Sequence, residues 1–192
     1  KSLGNFFTVR EITEKYDPQV LRFFMLSAPY RSPLNFSADL MQSSKTSLDR
    51  ILTAADNLKH LIANAKDDSM TESETAHYDA TEEYVKKFEE AMDDDFNTAD
   101  AIAAIFELVK YLNTHTSAEN SKSYLQKCLD RLKTLCDILG LVADKKEELL
   151  DADIETLIAE RQQARKEKNF ARADEIRAEL LEKGIVLEDT RE

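Results

Sequence analysis

The residue types best suited to chemistry stand at the two ends of the sequence. Lys1-Ser2-Leu3-Gly4-Asn5-Phe6 opens with a lysine and a small-residue turn, a pattern that can present a cation and backbone N–H groups to phosphate. Arg161 to Lys183 carries seven basic and five acidic residues, whereas Lys66 to Asp100 carries three lysines against thirteen acids. Contact with a polyanion therefore belongs at the ends of the chain, not its middle. Between those ends little points to catalysis. His60, His77 and His115 have no metal-ligand spacing, and Cys128 and Cys136 form no Cys-x-x-Cys pair. Asp93-Asp94-Asp95 could attract a divalent cation, but three acids ahead of a helix are more simply explained by its N-terminal dipole. No phosphate-binding glycine loop, nucleophile elbow or nucleophile–base–orienter set is present, so a complete enzyme is not expected.

The elements that must position these residues are helices. Three glycines and three prolines in 192 residues leave few breakers, and the alanine, leucine, glutamate and lysine content favours helix over strand. A formal charge of −12 argues against nucleic-acid binding through bulk electrostatics. No long uncharged apolar run and no basic-then-apolar leader pattern occur, so a cytoplasmic chain without membrane contact is expected. The two cysteines lie eight positions apart, about 12 Å along one helix and beyond disulfide reach, and read as reduced core residues.

Thr8-Val9-Arg10-Glu11 has capping-box spacing for a short helix, and Asp17-Pro18 places an N-cap before a proline at the first helical position. In the helix from Pro18 to about Ser27 the apolar residues Val20, Leu21, Phe23, Phe24 and Leu26 occupy nearly all sides, which predicts an interior element. Ser37 caps a long helix ending near Ala65, with Leu40, Leu48, Ile51, Leu52, Ala55, Leu58 and Ile62 at helical spacing. An acidic loop follows. Then come helices built on Tyr84, Val85, Phe88 and Met92; on Ile102, Ile105, Phe106, Val109 and Leu112; and on Leu125, Leu129, Leu132, Cys136 and Leu139, the last stopped by Gly140. Four such helices make an antiparallel bundle over residues 38–140, after a junction over 1–37. An acidic linker from Asp144 to Asp153, with an N-cap at Asp151 or Asp153, leads into a small unit over 141–192. Its two helices break near Asn169, and Gly184 precedes a strand-like Ile185-Val186-Leu187 whose pairing partner is missing.

Several blocks, in order along the whole chain, carry a resemblance. Lys1-Ser2-Leu3-Gly4-Asn5 is similar to the end of the Lys-Met-Ser-Lys-Ser signature of class I aminoacyl-tRNA synthetases, and Asp17 to Arg22 to the Asp-x-x-x-Leu-Arg helix that follows it. Tyr30-Arg31-Ser32-Pro33-Leu34-Asn35-Phe36-Ser37 and Asp94-Asp95-Phe96-Asn97-Thr98 narrow the match to cysteinyl-tRNA synthetases, with Pro29 standing where that pattern has histidine. Leu157 to Arg161, Ala164-Arg165-Lys166, Phe170 to Arg177 and Gly184 to Thr190 resemble that family's small C-terminal anticodon-binding domain.

The resemblance implies a mostly all-α region that binds tRNA(Cys), as a monomer and with no DNA partner, and that lacks the catalytic domain. Lys1 would be the signature lysine that stabilises the ATP phosphates, while the parent's zinc ligands would lie outside this chain. Arg22 would pair with acids or touch tRNA. By position, Arg165 would fork onto guanine, Asp174 or Asp189 would accept from cytosine, and Phe170 would stack on an unpaired base, with Arg161 one helical turn from Arg165. Plain alternatives stand beside these roles: a solvated arginine face, Phe170 in the core, Asp174 paired with Arg172 or Arg177, and Asp189 as a turn residue. Two other functions compete. A ligase joining cysteine to an amino sugar shares the signature but has no use for an anticodon reader, and a protein-interaction adaptor would show a large apolar patch.

Overall fold

The computed structural model describes residues 8–66, 68–143, 152–166 and 169–182, and among these the ordered elements are all helices. The chain divides into two compact units, residues 1–145 and 146–192. The first opens with α1 (Val9–Thr13), where the Thr8 hydroxyl accepts from Glu11 N and the Glu11 carboxylate accepts from Thr8 N at 2.6 Å, completing the capping box. In α2 (Pro18–Leu26) Asp17 accepts from Gln19 N, and proline stands at the first helical position. Val20, Phe23 and Phe24 are buried, but Met25 is 58% exposed, so α2 has an open side and is not interior all round.

Ser37 caps α3 (Ala38–Asn64), whose buried seam runs from Met41 through Leu48, Ile51, Ala55 and Leu58. Leu40, expected on that seam, is 45% exposed; Met41 and Ser44 take the inward positions instead. The stretch read as an acidic loop contains a further helix, α4 (Glu72–Ala80). It escapes hydrophobic periodicity because its one buried residue is a carboxylate, Glu74, rather than an apolar side chain. Three helices complete the unit: α5 (Glu82–Asp93), α6 (Thr98–His115) and α7 (Lys122–Ile138). The helix α5 packs along α6, α3 along α7, α2 on α3, and α4 on α7. One continuous core joins α2, α3, α5, α6 and α7, and Tyr124, Phe88, Met41, Ile51 and Leu132 are among its most deeply buried side chains.

The helix α7 ends as its glycine predicts. Leu141 N donates to Cys136 O at 2.9 Å and Gly140 N to Asp137 O at 2.9 Å, with Gly140 at φ +65° and Leu141 buried. A methyl group on Gly140 would come within 2.8 Å of Arg22 Nη1, because the Arg22 side chain lies across it. Arg22 forms no ion pair among the described residues, so the acidic pairing considered for it gives way to packing on the end of α7.

The second unit is described as a helical hairpin, α8 (Ala152–Lys166) and α9 (Phe170–Glu182), packed on each other. Gly184, the strand-like Ile185-Val186-Leu187 and the proposed cap at Asp151 lie outside the described residues.

Candidate nucleic-acid interface

Small and branched apolar residues hold the α8–α9 hairpin together: Ala164 of α8 with Ala173, Ile176 and Leu180 of α9, each 6% exposed or less. The turn closes through Asn169, whose N–H donates to Ala164 O at 2.8 Å and whose Oδ1 accepts from Arg172 N at 3.3 Å, so Asn169 both breaks α8 and starts α9. Arg172 then straps the helices across the turn. Its Nε and Nη2 donate to Glu160 at 3.1 and 3.0 Å and its Nη1 to Glu175 at 3.3 Å, which holds its guanidinium pKa above the usual value.

With Arg172 engaged as a strut, the other sequence-selected residues take distinct places. Arg165 and Asp174 are exposed, and Arg161 is half-buried one turn before Arg165. Phe170 is 62% exposed at the first position of α9, which removes the alternative of a core placement: Ala173, Ile176 and Leu180 fill the seam without it. Asp174 pairs with neither Arg172 nor Arg177, since Arg172 is turned to Glu160 and Glu175. The hairpin thus exposes Arg165, Phe170 and Asp174, a guanidinium, a ring and a carboxylate, outside its packed seam. These three groups can fork onto guanine, stack on a base and accept from a cytosine amino group. Lys1 and Asp189 lie outside the described residues.

In the first unit two of the singled-out blocks meet across 64 positions. Asp95 Oδ1 accepts from Tyr30 Oη at 3.0 Å and from Arg31 Nη2 at 3.2 Å, and Arg31 Nε donates to Tyr30 Oη at 2.8 Å. The turn that presents Asp95 holds two successive residues in the left-handed region, Asp95 at φ 53° and Phe96 at φ 54°, and leaves the Phe96 ring 66% exposed. This corrects the expectation for the aspartate run. Asp93 ends α5 and Asp95 binds Tyr30 and Arg31, while the start of α6 is capped by Asn97, whose side chain accepts from Asp100 N. Among the described residues no group of three or more His, Cys, Asp or Glu side chains is arranged to hold a metal ion.

A polar cluster that sequence reading missed fastens α4. The Glu74 carboxylate accepts from Thr71 N at 2.9 Å and, across 47 positions, from Ser121 N at 2.8 Å and Ser121 Oγ at 2.9 Å, and, across 46, from Asn120 Nδ2 at 3.1 Å. Burial pushes its pKa up, but the hydrogen bonds from Thr71, Ser121 and Asn120 outweigh that and bring it to about 2. Further along, Arg131 lies 4.1 Å from the Tyr78 ring centroid and donates to Thr81 Oγ1 at 2.5 Å. The signal that would have revealed α4 is the spacing Thr71-x-x-Glu74.

Three family models match along the chain: the tRNA synthetases class I (C) catalytic domain over residues 1–46, the DALR domain over 87–143, and the cysteinyl-tRNA ligase anticodon binding domain over 147–192. Together with the helical fold they define the C-terminal region of a class I aminoacyl-tRNA synthetase. Among curated relatives, a cysteine–tRNA ligase of Lachnospira eligens is 68% identical over 192 residues, covering 100% of this chain and 41% of the relative. A cysteine–tRNA ligase of Lachnoclostridium phytofermentans is 57% identical over 198 residues, covering 100% of this chain and 42% of the relative. The chain therefore belongs to the cysteine–tRNA ligase family, and it spans about two fifths of the length of the relatives it matches.

Proposed function

We propose that this chain binds tRNA(Cys) and reads its anticodon for an enzyme that activates cysteine with ATP and transfers it to that tRNA. The parent acts as a cytoplasmic monomer; Lys1 supplies charge to the ATP phosphates, and the zinc ligands belong to the part of the parent beyond this chain. Arg165 recognises the anticodon guanine through O6 and N7, Asp174 or Asp189 the cytosine amino group, and Phe170 stacks on an unpaired base, with Arg161 behind Arg165. Such a remote contact contributes to catalysis by holding the acceptor end in register with the reacting groups.

One observation supports this most. The segment that matches an anticodon binding domain folds into a hairpin whose packing uses Ala164, Ala173, Ile176 and Leu180, so that Arg165, Phe170 and Asp174 are left at the surface. The test is the affinity of the chain for three transcripts: tRNA(Cys), the same tRNA with its anticodon guanine replaced, and an unrelated tRNA. The first should bind best and the replacement should remove the advantage. Arg165→Ala should weaken binding of tRNA(Cys) by roughly 5- to 150-fold, the range for losing one bidentate base contact, and erase discrimination at that position. Equal binding of all three transcripts by the unsubstituted chain refutes the assignment.

A further inference from the structure

Folding brings together two histidines that are far apart in the sequence, His77 in the last turn of α4 and His115 at the end of α6. Their ring centroids lie 4.6 Å apart, and both residues are half-buried.

One residue, Tyr111, orients both rings. His115 Nδ1 stands 2.9 Å from Tyr111 O, a carbonyl that can only accept, so the hydrogen of the neutral ring sits on Nδ1. The His115 ring is steadied further by stacking on the Tyr111 ring, with 4.0 Å between centroids. On His77 the phenol gives the same result. Tyr111 Oη donates to His77 O at 3.3 Å, a carbonyl in the last turn of α4, where helical partners run out. Burial holds the phenol pKa above its usual value, so that proton stays in place. With its proton given to the carbonyl, Oη accepts from His77 Nδ1 at 3.2 Å, which must then carry the ring hydrogen. Each neutral imidazole is thereby left with a lone pair on Nε2, and neither Nε2 has a partner among the described residues.

A ring nitrogen that donates to a protein oxygen while the other stays free is the arrangement of a metal-ligating histidine. The spacing agrees. A nitrogen about 2.1 Å from an ion puts its ring centre about 3.2 Å away, so adjacent imidazoles have centres about 4.5 Å apart on an octahedral ion and about 5.2 Å on a tetrahedral one. The observed 4.6 Å falls at the octahedral end of that range. The rings are also inclined at 45°, so their in-plane lone pairs can be aimed at one point, as those of rings stacked flat cannot. The surroundings favour a cation: α4 and α5 carry eight acids against two lysines, and Lys87 is already held by Glu83 at 2.9 Å and Glu107 at 2.8 Å.

We propose that His77 and His115 bind a divalent transition-metal ion through their Nε2 atoms, with water in its remaining positions, and that the ion ties α4 to α6. The helix α4 buries only Glu74 and packs on α7 and α5, so a link to α6 at its last turn fastens an element that has no apolar anchor of its own. Nitrogen donors select Ni²⁺ or Zn²⁺ over Mg²⁺ or Ca²⁺. The site goes beyond the tRNA-binding reading and does not depend on it.

The test uses the whole chain, without a histidine tag, and NiCl2 as the probe at neutral pH. One ion should bind per chain. Nickel at about 100 times its dissociation constant should raise the melting temperature by roughly 5–10 °C, and the same concentration of MgCl2 should not. The imidazole NMR signals of His77 and His115 should broaden at nickel concentrations that leave His60, exposed on α3, unchanged. Tyr111→Phe keeps the stacked ring but frees the His77 tautomer, and should weaken binding by roughly 10- to 100-fold. His77→Phe, which retains a ring beside His115, should abolish the broadening of His115 and the gain in melting temperature. Equal broadening of all three histidines, or nickel binding that survives in His77→Phe, would mean scattered surface binding and overturn the proposal. So would the absence of any response of the unsubstituted chain to millimolar nickel. The tRNA affinities above stand or fall separately.

Discussion

Replacing Glu74 by glutamine keeps the shape of the side chain and removes its charge, which makes it a sharp probe of how α4 is held. The carboxylate faces two fixed backbone donors, Thr71 N on one oxygen and Ser121 N on the other. A glutamine amide must turn its NH2 group toward one of them, so either orientation sets donor against donor and leaves a buried N–H unpaired. That costs about 1–3 kcal/mol, in addition to the loss of charge assistance. The same hydrogen bonds, expressed as a titration shift, give a similar figure: a carboxylate moved from 4.5 to about 2 stabilises the folded state by about 3 kcal/mol at neutral pH. The folded pKa is depressed, so this contribution is present above pH 4.5 and is lost as pH falls from there toward 2. Thermal unfolding of both proteins from pH 7 down to pH 2 is the assay. At pH 7 Glu74→Gln should melt lower by roughly 6–12 °C, given about 2–4 °C per kcal/mol for a unit of this size. The gap should close across the acid limb, where the unsubstituted chain loses its advantage. A gap that stays constant over that pH range, or one below about 1 kcal/mol at pH 7, would show that the carboxylate does not fasten α4 as argued.

Two further outcomes follow from the same packing. Gly140→Ala places a methyl group at φ +65° and against Arg22 Nη1, and should cost about 1–2 kcal/mol in urea unfolding, with Gly140→Asn milder because asparagine tolerates that conformation; equal stability of all three would refute it. Burial raises Cys128 to about 11 and Cys136 to about 12, so neither should react with a thiol reagent at pH 8 until the chain unfolds, and rapid native-state labelling would contradict the structure. Both folded pKa values are raised, so the stability these thiols contribute should fall as pH rises above 9.

Helix boundaries set by local chemistry were readable from sequence. The Thr8–Glu11 box, Asp17-Pro18, Ser37 and Gly140 each act through atoms within six residues, and the structure has each of them in that role. What was not readable depends on distant partners. The helix α4 has one buried carboxylate whose donors lie partly at the N-terminal cap of α7, so no apolar period announces it. Asp95 looks like a helix-dipole acid until Tyr30 and Arg31 arrive from 65 and 64 positions away. On the hairpin, sequence picked out Arg165, Phe170 and Asp174 but could not say which faced outward, because small residues and not the aromatic ring make the seam.

The packing of Arg22 over Gly140 also bears on how the chain is made. Gln19 Oε1 accepts from Val142 N, a contact spanning 123 positions, and Arg22 reaches nearly as far. A ribosome adding about 5–20 residues per second needs roughly 6–25 s to get from one partner to the other. Throughout that interval α2 has emerged with Val20, Phe23 and Phe24 ready to pack, while the far end of its seat does not yet exist. The helix α2 packs chiefly on α3, and Phe23 meets Phe106 of α6, so its aromatic face can be covered before α7 is made. Only the Gln19 and Arg22 contacts wait for the last turn of the unit.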